Sequence, residues 1–155
     1  GSIQQAHFRP TWTPSTAIGR SQLETALETV GVGCRIERDS RSTELWPAAH
    51  SSLLGRTLAA TGAPVGEKTP TTVTGLPEWL PTAPIAVRSR VVELLVLERA
   101  IDYEDKATKR IQTARPSSYF RDVADLIESV TNEPVRYSAT GVTISASAVR
   151  ALGIS

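Results

Sequence analysis

Between Val87 and Leu97 the chain reads Val-Arg-Ser-Arg-Val-Val-Glu-Leu-Leu-Val-Leu, and no other segment limits its possible folds so strongly. The spacing predicts a helix from Val87 to about Asp102. Val91, Val92, Leu94, Leu95, Val96 and Leu97 cover nearly all of its circumference. A helix that is apolar all round belongs at the centre of a core or in a tight interface. Glu93, with Arg88 and Arg90 nearby, is left for its exposed stripe. A chain of 155 residues has room for one substantial core or two small lobes around such a rod.

Hydrophobic residues make up 40% and charged residues 21%, the proportions of an ordinary globular chain. The net charge is +1, which neither demands nor excludes a nucleic-acid partner; a dedicated non-specific DNA binder carries far more positive charge. A lone cysteine, Cys34, excludes an internal disulfide and cannot make a zinc site by itself. No stretch approaches the roughly 18 apolar residues needed to cross a membrane. No secretory signal pattern opens the chain, so the expected location is the cytoplasm. Gly1-Ser2 reads as a vector remnant, and the absence of methionine fits an internal fragment.

The rest of the chain divides by its turn and cap signals. Residues 3–19 form an N-terminal arm, with Phe8, Trp12 and two prolines in 3–14 suggesting an extended arm or an edge strand. Residues 20–62 form a first α-ββ-α unit. Ser21-Gln-Leu-Glu24 is a capping-box pattern ahead of Leu23, Ala26, Leu27 and Val30, and Gly31 and Gly33 stop that helix. Cys34–Arg38 and Thr43–Trp46 flank Asp39-Ser-Arg-Ser42 as a hairpin. Ser51 or Ser52 caps the next helix, which closes at Gly62. Residues 63–86 are a connector pinned by Leu76, Trp79 and Leu80. Residues 87–155 hold the central helix and a second α-ββ-α unit. Within it, 103–115 are charged and read as a helix extension or a solvated loop. A helix starts at Pro116-Ser-Ser118, with Phe120, Val123, Ala124, Ile127 and Val130 on one face. A hairpin surrounds Ala139-Thr-Gly141, and Ser145 or Ser147 caps a last short helix. The fold class is therefore α+β, two helix–hairpin–helix units around one apolar helix in one compact domain. Residue identity between the units is slight, so duplication and coincidence both account for the repeat.

The run His50-Ser-Ser-Leu-Leu-Gly…Gly-Glu-Lys68, followed by Leu76-Pro-Glu-Trp-Leu80 and the apolar helix, resembles the middle of a LAGLIDADG homing-endonuclease domain. The resemblance is clearest over residues 50–101 and extends over 20–153. It implies two halves of order α-ββ-α-ββ-α, with signature helices packed at a pseudo-twofold axis and two four-stranded sheets forming a saddle over the DNA major groove. Val87–Asp102 would be the second signature helix. Laid on it, the family motif puts Leu94 at the first small position, Leu97 at the first acidic one, Glu98 at the second small one and Arg99 at the metal-binding acid. Arginine has only donors and a fixed positive charge, so it cannot ligate Mg²⁺. A slip of one position offers Glu98, and a slip of three offers Asp102. Nothing in residues 3–19 resembles a first signature helix. The resemblance thus implies a DNA-facing scaffold without the complete acid pair of a metal-assisted nuclease. No catalytic residue, metal or cofactor is expected.

Glu98 and Asp102, one turn apart in the predicted helix, read as a residual metal site or as solvated acids paired with Arg99 or Lys106. His50 beside Ser51 reads as a cap, not as a nucleophile–base pair. Trp12, Trp46 and Trp79 are either stacking platforms for single-stranded nucleic acid or anchors at element ends. Hairpin arginines are the stronger candidates, because a strand can present them to phosphates and base edges. The DNA-binding candidates are Arg35, Arg38 and Arg41 on the first hairpin and Arg136 and Tyr137 on the second. Lys106, Lys109 and Arg110 join them in the charged segment, with Arg115 close by. Thr43, Ser138, Thr140 and Thr143 can add hydrogen bonds. The expected function is non-catalytic binding of double-stranded DNA. A Mg²⁺-dependent endonuclease with part of its site elsewhere, or an interaction domain that homodimerises through Val91–Leu97, remains open.

Overall fold

One order of elements, two strands, a helix, two strands and a helix, occurs twice along the chain in a computed structural model that describes residues 1–38 and 42–154. The fold is mixed α+β, with five helices and small antiparallel sheets among the described residues. The chain separates into two units, Gly1–Lys68 and Thr69–Ser155.

In the first unit β1 (Ser2–Ile3) pairs antiparallel with β2 (Pro10–Thr11). Helix α1 (Ala17–Thr29) follows, then the antiparallel hairpin of β3 (Cys34–Arg38) and β4 (Thr43–Pro47), then α2 (Ser51–Ala60). Trp12 donates its backbone N–H to the Leu45 carbonyl at 3.0 Å and accepts the Leu45 N–H at 2.8 Å. That bridge joins the two ladders in the order β1-β2-β4-β3. The arm is therefore part of the sheet, and Ile3, like Leu27, Val32 and Leu45, is buried.

Two helix starts differ from expectation. The Thr16 hydroxyl, not Ser21, caps α1, accepting the Gly19 N–H at 2.9 Å. Pro14 lies just upstream, and Ser21 falls inside the helix, where its carbonyl accepts the Thr25 hydroxyl at 3.0 Å. Neither Ser51 nor Ser52 caps α2. The preceding His50 is left-handed with φ 50° and makes no side-chain cap. Ser52 instead donates its hydroxyl to the His7 carbonyl at 2.6 Å, which fastens α2 to the β1–β2 loop.

The second unit begins within the 63–86 connector, at Thr69. Leu80 is buried in a short 3₁₀ turn, Leu80–Thr82, and Leu76 and Ala83 pack on the same core. Trp79 stays 46% exposed. Helix α3 (Ile85–Arg99) runs directly into β5 (Ala100–Tyr103), and β6 (Lys106–Ile111) follows. Then come α4 (Ser117–Thr131), β7 (Val135–Ser138), β8 (Gly141–Ile144) and α5 (Ala146–Ala151). The four strands form one antiparallel sheet in the order β5-β6-β8-β7. Residues 85–151 therefore run α-ββ-α-ββ-α.

This order corrects two expectations. The apolar helix ends at Arg99, where Ala100 turns extended, so Asp102 lies on β5 and not a helical turn beyond Glu98. The charged 103–115 segment supplies the last residue of β5 and all of β6 rather than a helix extension or loop. Pairing decides the matter: β6 has a partner on each side, and its one fully buried residue, Ile111, lies opposite Ala100 and Val142. Strand propensity yields to such context. Helix α3 is also less enclosed than its sequence suggests. Val92 and Val96 are fully buried, Val91 and Leu95 pack partly, and Leu94 and Leu97 are half-buried.

Helix α4 is the centre of this core. Phe120, Val123, Ala124, Leu126 and Ile127 are all buried against Val135, Val142 and Ile144 of the sheet and Ala148 and Val149 of α5. Each large side chain removed from water in this way stabilises by about 1.5–3 kcal/mol. The helix stops at left-handed Asn132. The Glu128 carboxylate then accepts the Val135 N–H at 2.7 Å, aligning the start of β7 with the end of α4. Ser145 caps α5 by accepting the Ala148 N–H at 3.2 Å, as expected.

Candidate nucleic-acid interface

The pleat divides the predicted basic residues of the second unit between two faces. Ala100, Ile111, Val142 and Tyr137 form one cross-strand row. Its buried members, Ile111 and Val142, face the helices. The adjacent row is Ile101, Arg110, Thr143 and Arg136, and alternation turns it the other way. Ile101, Thr143 and Arg136 are exposed and Arg110 is half-buried. Arg110 and Arg136, far apart in sequence, thus flank Thr143 on the sheet face opposite α4 and α5. The strands add Thr108 and Ser138 to this face and no acidic residue.

Arg110 is held in place. It donates from Nη2 to the Thr140 hydroxyl at the tip of the β7–β8 hairpin at 3.0 Å. Thr140 in turn shares a hydroxyl contact with Ser138 at 3.3 Å. A Cβ on Gly141 would lie 2.4 Å from the Ile111 carbonyl and 3.4 Å from Arg110 Nε. Glycine there lets the guanidinium lie close over the strand. Arg110 Nε is buried without a partner among the described residues. Arg136 has no ion-pair or hydrogen-bond partner among them, so its charge is available.

The other candidates are placed differently. Lys109 faces the helix side and forms a 2.7 Å ion pair with Asp102, whose side chain is 76% exposed. The expected helical acid is thus committed to a strand lysine. Tyr137 shares the helix-side row at the sheet edge and is half-exposed. Lys106, at the start of β6, lies 6.0 Å from the Tyr103 ring. It borders a cleft of 610 Å³ with Tyr103, Val149 and Arg150.

The first hairpin separates its arginines as alternation requires. Arg38 shares the Cys34, Ile36 and Leu45 face, the side that α1 packs on, and stays exposed at the hairpin end. Arg35 takes the opposite face, across from Trp46, with its guanidinium 5.8 Å from the indole centroid and 3.0 Å from the Glu37 carboxylate. Glu37 lies directly opposite Glu44. Arg41 lies outside the described residues.

The chain matches no protein-family model, and no curated protein is significantly similar to it in sequence.

Sequence reasoning missed the two things that assemble this surface. β6 was hidden behind its charged residues, and Arg110 became a sheet residue only with it. The alternation of β6 carries a signal in retrospect: Thr108 and Arg110 fall on one side, Lys109 and Ile111 on the other. Cys34 sits beneath α1 with its thiol pKa raised, first by burial and then by the nearby Glu24 and Glu28 carboxylates. Among the described residues, no group of three or more His, Cys, Asp and Glu side chains is placed to hold a metal ion. No helix among them is long and apolar enough to cross a membrane.

Proposed function

We propose that the chain is a non-catalytic module that binds double-stranded DNA, with the helix-free face of the β5-β6-β8-β7 sheet as its contact surface. The observation that carries this reading is the row Arg136–Thr143–Arg110 on an open sheet face with no acid among its strand residues. Paired guanidinium groups and a hydroxyl on a twisted ribbon suit phosphate oxygens and base edges in a groove. The α-ββ-α-ββ-α order of residues 85–151 is the order that the LAGLIDADG resemblance implies for one half of that domain, and the ββ-α-ββ-α order of the first unit accounts for most of another. Glu98 and Arg99 close α3 and Asp102 pairs with Lys109, so no two-acid metal site is assigned. Fold-level likeness alone does not fix activity, and the reading rests on the charged row.

Retardation of random duplex DNA at two salt concentrations, with and without Mg²⁺, tests it. Retention that weakens with salt, with the duplex left intact, supports the reading. Reversing both charges (Arg110→Glu, Arg136→Glu) should abolish that retention in a folded protein. Cleavage that requires Mg²⁺ would replace the reading with the endonuclease one.

A further inference from the structure

Arg35 and Arg136 occupy the same register in the two hairpins, in opposite electrostatic surroundings. Each is the second residue of the leading strand, and each points away from the helices, opposite Trp46 and Thr143 respectively. Around Arg136 the open face adds a second guanidinium, Arg110, and only neutral strand residues besides. Around Arg35 it adds two carboxylates. Glu37 is 3.0 Å from the guanidinium, and Glu44 is the direct cross-strand neighbour of Glu37. Like charges directly opposite one another on a ladder cost stability, and here they leave the outward face of the first hairpin net negative among its described strand residues. A phosphate approaching Arg35 must displace Glu37 and come close to Glu44. The same phosphate approaching Arg136 meets no carboxylate among the strand residues of that face.

We infer, resting on the DNA-binding reading, that phosphate contact is confined to the second unit and that Glu37 and Glu44 hold the first hairpin off the backbone. Arg35 is committed to Glu37 and the Trp46 ring, whereas Arg136 and Arg110 carry the affinity. The two carboxylates oppose indiscriminate contact between the first hairpin and any duplex. They are specificity-determining residues in the sense that they exclude a binding mode.

The test compares Arg136→Gln, Arg35→Gln and the double variant Glu37→Gln, Glu44→Gln in the full chain. Each is titrated with one random duplex over a range of salt, and folding is checked by circular dichroism. Arg136 and Arg35 are exposed, so their replacement leaves the core untouched. Arg136→Gln should lower affinity about fivefold and reduce the salt slope by about one. Arg35→Gln should change affinity less than about twofold, and the double Gln variant should raise low-salt affinity at least about twofold, since it removes repulsion between like charges. Any other pair of results from the Arg35 and double Gln variants overturns the inference. In that case the DNA-binding reading stands as long as Arg136→Gln weakens binding. A wild-type chain that retains no duplex overturns both.

Discussion

Arg110 shows how one side chain can be charged, ordered and available together. Its Nη2 is tied to Thr140 while the flanking Thr143 and Arg136 remain open to solvent, so little rotamer freedom is left to lose when an anion arrives. Cys34 is constrained by the opposite means. Burial, then Glu24 and Glu28, raise its pKa, which keeps the thiol protonated at neutral pH and slows attack by its thiolate. Iodoacetamide should therefore label the native chain at pH 8 more slowly than the urea-unfolded chain. Glu24→Gln with Glu28→Gln should speed native labelling by about twofold or more. The sign for stability follows: the thiol's contribution is complete below its unfolded pKa and disappears as pH rises through the higher folded value. Gly55 marks a steric limit. A Cβ there would lie 1.7 Å from the Phe8 carbonyl oxygen, so Gly55→Ala must push α2 from the β1–β2 loop. A cost of about 1–3 kcal/mol is expected, read as a lower midpoint in urea unfolding.

At the scale of elements, α4 is the best-determined part of the chain. Phe120 is fully buried within its apolar stripe, and Phe120→Ala should cost about 3–5 kcal/mol by the same denaturant measurement. The stripe was legible because Phe120, Val123, Ala124 and Ile127 repeat at helical spacing and Pro116 marks the start. Both hairpins were legible too, since short strand-forming runs flank polar or glycine-bearing turns. The β5–β6 pair was not. Asp102, Lys106, Lys109 and Arg110 carry charges that mask alternation, and their strand form depends on β8, which lies more than thirty residues downstream of Arg110. Helix α3 misled in the other direction: its apolar residues ran on into Ala100 and Ile101, which belong to the sheet. Without β6, Arg110 could be read only as a member of a loop cluster, and the row it forms with Arg136 was invisible.

For the molecule as a whole, a net charge of +1 means that attraction to DNA has to come from a local surface and not from the overall field. Two available guanidinium groups predict a logarithmic salt slope of roughly −2, far shallower than that of a strongly basic binder. A fluorescence-anisotropy series over sodium chloride concentration measures it, and a much steeper slope would point to contacts beyond the second unit's sheet. The repeated strand order, β1-β2-β4-β3 and β5-β6-β8-β7, also sets unequal local persistence. In the first unit, a two-residue ladder and isolated bridges at Trp12–Leu45 and Ile3–Val65 hold the β1–β2 pair. In the second, β8 has a neighbour along each edge, and its Val142 and Ile144 are sealed beneath α4. Deuterium should enter the backbone around Ile3 within the shortest exposures and reach β8 last, so β8 serves as the slow clock that times complete opening of that half of the chain.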